Sequence, residues 1–180
     1  MPLLSPTELV RRQQSIELLI LDVDGVLTDG SLFLGDAGEQ YKAFHSRDGH
    51  GLRMAMEGGL QVAVLTGRHS EVVLHRMREL GIPHILQGRR DKGHAFAELL
   101  APLGIAPERC AFLGDDLVDL PAMRRSGLGI AVADAHPLVL EQADWHTQAA
   151  GGRGAVREVC ETLLQAQGRW EGLLRAYLEG

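Results

Sequence analysis

The chain has 180 residues, 45% of them hydrophobic and 4% aromatic, with 22 glycines and a formal net charge of -6. That length suits one domain with a real core, and the apolar share excludes disorder as the overall state. An acidic balance with no basic block argues against nucleic acid or an anionic membrane as a partner; a small anionic substrate stays open, because arginines and a metal can reverse the field inside a cleft.

The first predicted element is a short helix over residues 7–15, with Thr7 after Pro6 as its N-cap. Leu18 to Leu21 is an apolar run suited to a strand buried on both faces, and it ends at Asp22. Between Ser31 and His45, two apolar-rich runs flank Gly35-Asp36-Ala37-Gly38, which signals a β-hairpin. Leu32, Phe33, Leu34, Tyr41 and Phe44 are too many apolar groups for a free flap, so they are expected to pack on the body or on another subunit. A helix from Asp48 to Gly58 leads to a second buried strand, Leu60 to Leu65. Thr66-Gly67-Arg68 then opens a helix that runs through Leu80 and stops at Gly81.

His84 to Leu86 is a short third strand, and Asp91 and Lys92 precede a helix through Leu103. Cys110 to Leu113 is a fourth strand, after which Asp116 to Ser126 reads as a helix that tolerates Pro121 only in its first turn or at a kink. Leu128 to Val132 is a fifth strand, and Pro137 opens a short helix through Ala143 with His136 as a candidate cap. Trp145 lies in a brief strand, and Gly151-Gly152-Arg153-Gly154 reads as a flexible loop before a helix from Ala155 to about Gln167. Trp170 to Leu178 again has helical spacing. The alternation predicts a single α/β domain over residues 1–180, a doubly wound, mainly parallel, Rossmann-like sheet with a small hairpin insertion. Cys110 and Cys160 read as small buried hydrophobes. With no signal-peptide pattern and no apolar run near the roughly 20 residues of a membrane span, the expected compartment is the cytoplasm.

The informative polar groups follow apolar strands. Asp22 and Asp24 follow the first, Thr66 the second, Lys92 the third, and Asp115, Asp116 and Asp119 the fourth. Right-handed crossovers put the carboxyl ends of parallel strands on one edge, so these groups can meet in one crevice. Two carboxylates as close as Asp22 and Asp24 need a cation between them, a proton on one, or a reaction at one. The job the whole set suggests is phosphoryl transfer. Asp22 attacks phosphorus, Asp24 protonates the leaving alcohol and later deprotonates water, and Thr66 and Lys92 hold the phosphoryl oxygens. Magnesium keeps several waters, so Asp22, the Asp24 carbonyl and Asp115 suffice as its protein ligands.

DVDGVLT (Asp22–Thr28), LTGR (Leu65–Arg68), Lys92 of DKG and GDDLVD (Gly114–Asp119) resemble the four motifs of the haloacid-dehalogenase-like phosphatases. The resemblance implies Asp22 as nucleophile, Asp24 as acid/base, Thr66, Gly67 and Lys92 as phosphate binders, and Asp22, Asp24 and Asp115 around Mg2+. Dehalogenase members lack the second aspartate of the first motif, so Asp24 points to phosphate rather than halide chemistry. FHSRDGHG (Phe44–Gly51), GDDLVDLPAM (Gly114–Met123), AVADAHP (Ala131–Pro137) and GGRGAVREVCETLLQAQG (Gly151–Gly168) are further similar to the group of these phosphatases that acts on 3-deoxy-D-manno-octulosonate 8-phosphate. That likeness implies a phosphorylated sugar acid as substrate, a role in lipopolysaccharide synthesis and no separate cap domain. It also implies a homotetramer built around the hairpins, and a tail, Arg169–Gly180, able to fold over a neighbour's site.

Each position also has a plainer role. Asp116 can bind metal through water or cap a helix; Asp119 can orient Lys92 or a water, or cap locally; Thr66 can be an N-cap. Arg68 sits near the phosphate end or is solvated in a first helical turn, where its charge opposes the helix dipole. A sugar acid carries a carboxylate far from its phosphate, for which Arg47 and Arg153 are candidates, with His45 and His50 flanking the same segment. Competing activities are a phosphatase of a nine-carbon sugar-acid 9-phosphate, a phosphotransferase or mutase, and a non-catalytic oligomerisation domain. The mutase needs a way to exclude water, and the non-catalytic reading needs a lost nucleophile or lysine.

Overall fold

The computed structural model describes residues 4–36 and 38–179. Helix α1 (Pro6–Ser15) leads into strand β1 (Leu18–Leu21), and the hairpin β2 (Phe33–Gly35) and β3 (Gly38–Tyr41) follows. Then come α2 (Ser46–Glu57), β4 (Gln61–Leu65), α3 (Glu71–Leu80), β5 (His84–Leu86) and α4 (Lys92–Leu103). The second half runs β6 (Cys110–Gly114), α5 (Leu120–Met123), β7 (Leu128–Ala131), α6 (Pro137–Gln142), β8 (Trp145–His146), α7 (Ala155–Ala166) and α8 (Trp170–Leu178). Six strands form one parallel sheet in the order β5-β4-β1-β6-β7-β8, and the hairpin pairs with itself. The predicted α/β class and the parallel sheet are both present.

This order positions the site. From β1 the chain winds outward to β4 and β5, then returns across the sheet to add β6, β7 and β8 on the other side of β1. Right-handed crossovers therefore send α2 and α3 to one face and α4, α5 and α6 to the other, and the loops after β1 and β6 part where the winding reverses. Helix α2 packs on α7, and α4 on α5. The central strands are apolar and fully enclosed; Leu18, Leu19, Ile20 and Leu21 are each 0% exposed. Leu21 pairs with Val64 and Leu113, and the Asp22 N–H donates to the Leu113 carbonyl at 3.1 Å. Asp22 thus leaves the sheet beside Gly114 and Asp115.

Two glycines let the loops close on one another. Gly25 has φ +88°, and a Cβ there would lie 2.1 Å from Asp115 Oδ2. A Cβ on Gly151 would lie 1.7 Å from the Gly25 carbonyl oxygen. Gly151 also donates to Asp134 at 2.9 Å, and Gly152 donates to the Val26 carbonyl at 2.8 Å. The segment expected to be a flexible loop is instead buried at Gly151 and Gly152 and wedged against the backbone of Gly25–Asp29 in the loop after β1.

Other departures have local causes. Ser5, not Thr7, caps α1, accepting from the Glu8 N–H at 3.3 Å, because a proline at the first helical position needs its cap before it. The helix expected from Thr66-Gly67-Arg68 begins at Glu71, capped by Ser70, which leaves those three residues as loop. The expected helix from Asp116 breaks into a 3₁₀ turn (Leu117–Asp119) and the single turn α5, because Pro121 has no N–H to carry the ladder through. In the hairpin, Phe44 packs on the body, whereas Leu32, Phe33, Leu34 and Tyr41 remain between 43% and 69% exposed. Ala37 of the predicted turn and Gly180 of the predicted tail lie outside the described residues. Cys110 and Cys160 are free and buried, and burial pushes the Cys110 thiol up to about 12.

Candidate active site

The carboxyl ends of β1, β4, β5 and β6 surround a cavity of about 560 Å³. Asp22, Asp24, Thr66, Gly67, Arg68, Lys92, Asp115 and Asp116 all line it. At its floor Lys92, the first residue of α4, is enclosed to 2% exposure. Its Nζ lies 2.8 Å from Asp22 Oδ2 and 2.5 Å from Asp119 Oδ1. The second Asp119 oxygen accepts from the Asp115 N–H at 2.9 Å and the Asp116 N–H at 3.2 Å. Asp119 is fully buried, so one carboxylate aims Lys92 and pins the loop that carries Asp115. Asp116 accepts from the Leu117 N–H at 2.7 Å and caps the 3₁₀ turn.

The electrostatics of this floor are unbalanced without a cation. Burial, reinforced by Asp119 and Asp22, pushes the Asp115 carboxyl up to about 8. Burial and Asp119 also raise Asp22, with Lys92 pulling the other way. Asp22 Oδ1 and Asp115 Oδ1 are buried with no hydrogen-bond partner. Asp22, Asp115 and Asp119 each offer an oxygen within 4.8 Å of the others. Asp119 spends both oxygens on Lys92 and two N–H groups, so the unspent donors belong to Asp22 and Asp115. Hard oxygen donors that repel one another and lack partners fit magnesium, which would neutralise them.

Known proteins resemble this chain in sequence and fold. A family model for haloacid dehalogenase-like hydrolases matches residues 81–158. The chain is 52% identical over 162 residues to 3-deoxy-D-manno-octulosonate 8-phosphate phosphatase of Escherichia coli K12, covering 90% of this chain and 86% of that protein. This chain belongs to the haloacid dehalogenase-like hydrolases. Its fold superposes on the phosphatase of that name from Yersinia pestis with a TM-score of 0.89 and 49% identity, covering 92% of this chain and 89% of the other. On the Moraxella catarrhalis phosphatase, solved with a magnesium ion, a phosphate ion and a KDO molecule, the TM-score is 0.93 at 40% identity, covering 96% and 99% of the two chains.

In this hydrolase the rim holds residues that the sequence did not single out. Asp24 accepts from Lys42 Nζ through Oδ1, and Arg68 Nε lies 3.7 Å from its Oδ2. Lys42 comes from the end of the hairpin with its side chain 1% exposed. Nothing in the local pattern distinguishes it from a solvated lysine, because only the long-range fold turns the hairpin back over the β1 loop. Arg89 and Arg90, also unpredicted, line the cavity mouth. Their position directly before the Asp91-Lys92 motif was the available signal. Thr66 is buried in the loop after β4, its Oγ1 accepting from the Arg68 N–H at 3.4 Å, and it caps no helix.

The remaining candidates do not reach this cavity within one chain. His45, Arg47 and Arg153 line a separate hollow of about 400 Å³ with Arg157, Glu158 and Glu161. Arg153 pairs with Asp29 at 2.9 Å. His50 meets the Tyr177 ring edge-on at 5.6 Å between centroids, which packs α8 against its own chain's α2.

Proposed function

We propose that this hydrolase is a magnesium-dependent phosphomonoesterase that converts 3-deoxy-D-manno-octulosonate 8-phosphate to the free sugar acid and phosphate, in the cytoplasm and on the route to lipopolysaccharide. The observation that carries the reading is the floor itself, where Asp22, held 2.8 Å from a buried Lys92, faces an acidic partner with unspent oxygens. Identity of 52% across 90% of the chain to a phosphatase of that substrate supports the choice of sugar.

Asp22 attacks phosphorus as the sugar oxygen departs, and the bond formed is an aspartyl-phosphate. Asp24 gives its proton to the departing oxygen, then takes a proton from the water that attacks the same phosphorus and frees Asp22. Lys42 and Arg68, one beside each Asp24 oxygen, hold that carboxylate at the mouth of the cavity. Lys92 places positive charge against the transferred group, and Thr66 and Gly67 contribute hydrogen-bond donors beside it. Asp22, the Asp24 carbonyl and Asp115 would hold the metal, which would supply positive charge to neutralise the phosphate and orient it. The hairpin's exposed apolar side chains are the surface on which further copies assemble, toward a tetramer.

Phosphate release at fixed magnesium from the eight-carbon sugar-acid 8-phosphate and a nine-carbon sugar-acid 9-phosphate tests the proposal. The expected result is a higher kcat/KM for the eight-carbon ester. Preference for the nine-carbon ester would replace the substrate and keep the chemistry.

A further inference from the structure

Two loops are laced together at the rim of the active cavity. The Ser70 N–H donates to Gln87 Oε1 at 2.7 Å, and Gln87 Nε2 donates back to the Ser70 carbonyl at 3.1 Å. The Gly88 N–H donates to the Arg68 carbonyl at 3.2 Å, and the Arg89 N–H to that of Thr66 at 3.0 Å. Two residues further on, Asp91 caps α4 by accepting from the His94 N–H at 3.0 Å. Arg90 is the residue between these two anchors. Its backbone is held on both sides while its side chain is exposed.

That side chain lines the active cavity and also an adjoining hollow of about 380 Å³ formed with Gly67, Arg68, His69 and Gly88. Gly67, Arg68 and Arg90 border both spaces, so the two are parts of one groove. The groove changes sign along its length. Asp22, Asp24, Asp115 and Asp116 make one end acidic, and Arg68, Arg89 and Arg90 make the other basic. Of these arginines, Arg68 Nε lies 3.7 Å from Asp24, and Arg89 Nη1 lies 3.4 Å from Glu98. Arg90 forms no ion pair among the described residues.

We propose that Arg90, with the hollow beside it, is the subsite for the substrate's carboxylate. The inference rests on the sugar-acid phosphatase reading above. A substrate with an anion at each end is held best when each end finds its own cation. Lys92 and the metal take the phosphoryl group, and the acidic floor repels a second anion. Arg90 offers a planar pair of N–H donors matched to a carboxylate, on a backbone that binding does not have to order. Specificity for a sugar acid over a neutral sugar phosphate therefore comes from a loop outside the phosphoryl-transfer machinery.

The test compares wild type, Arg90→Gln and Arg90→Lys on the eight-carbon sugar-acid phosphate, and on the same ester with its carboxylate reduced to an alcohol. For Arg90→Gln, KM for the acid is expected to rise about 10- to 100-fold, with kcat within about twofold and KM for the alcohol unchanged. Arg90→Lys is expected to recover part of the loss. Equal KM increases for both esters, or an acid preference that survives Arg90→Gln, would overturn the subsite. A wild type that hydrolyses the alcohol as well as the acid would instead overturn the sugar-acid reading beneath it.

Discussion

The floor of the active cavity and the hairpin at its edge are finished to different degrees. On the floor, Lys92 and Asp119 have partners for their charged atoms, and the two buried oxygens left over, on Asp22 and Asp115, are where a cation belongs. The hairpin leaves Leu32, Phe33, Leu34 and Tyr41 in water, although its last residue but a few, Lys42, is buried against Asp24. The difference separates two requirements. Bond-making needs charges fixed in a dry place, and one chain can build that from loops at a single sheet edge. Enclosing a sugar needs surface, and so small a chain has little to spare. Tests of the comparison therefore strike the floor first.

Asp22→Asn keeps the side chain's shape and leaves Lys92 paired with Asp119. Turnover is expected to fall by at least about 10³-fold, as for loss of a nucleophile, while the circular dichroism spectrum stays that of the wild type. Phosphate release at the wild-type rate would remove Asp22 from the chemistry. Asp119→Ala attacks the same floor from beneath. It removes one of the two carboxylates beside the buried Lys92 ammonium and frees the Asp115 loop, so urea unfolding is expected to show a loss of about 1–3 kcal/mol. An unchanged unfolding midpoint would mean that Asp119 does not hold the floor together.

At the hairpin the same kind of substitution is expected to do something else. Phe33→Ser with Leu34→Ser removes apolar surface that one chain leaves exposed, so stability of the single chain should move by no more than about 0.5 kcal/mol per site. Sedimentation should show a smaller assembly, with catalysis reduced far less than in Asp22→Asn. An unchanged mass would break the contrast, because the exposed side chains would then have no partner to lose.

How much of this could be read from the residues follows from the range of the interactions. Apolar runs such as Leu18–Leu21 and Cys110–Leu113 fix buried strands locally, and carboxylates placed just after them must gather at one edge by handedness alone. The floor was legible for that reason. Helix starts were less so, because competing caps sit close in sequence: Ser5 against Thr7, and Ser70 against Thr66. Lys42 was invisible, since its burial depends on how the hairpin folds back. The segment Gly151–Gly154 was misread as flexible for a related reason. Its glycines are there to let a distant backbone approach, which local sequence cannot distinguish from looseness.

The smallest expected effect sharpens the comparison most, because it belongs to the floor alone. Asp115 titrates near its ordinary value of 3.8 in the unfolded chain and at about 8 in the metal-free fold. Between those values the folded state binds a proton that the unfolded state has released, so stability falls as pH rises through that window. Magnesium favours the ionised carboxyl and reverses the penalty, and by mass action its stabilisation should grow as protons leave. Melting at pH 5 and pH 8, with chelator and with magnesium, is expected to give a larger magnesium-dependent gain in Tm at pH 8. Chelator should also stop turnover, and magnesium should restore it. The hairpin variant should keep this pH dependence, whereas Asp115→Asn should weaken it, with Asp22 left to titrate. A magnesium gain that is equal at both pH values, or that Asp115→Asn leaves at its wild-type size, would place the cation away from these carboxylates.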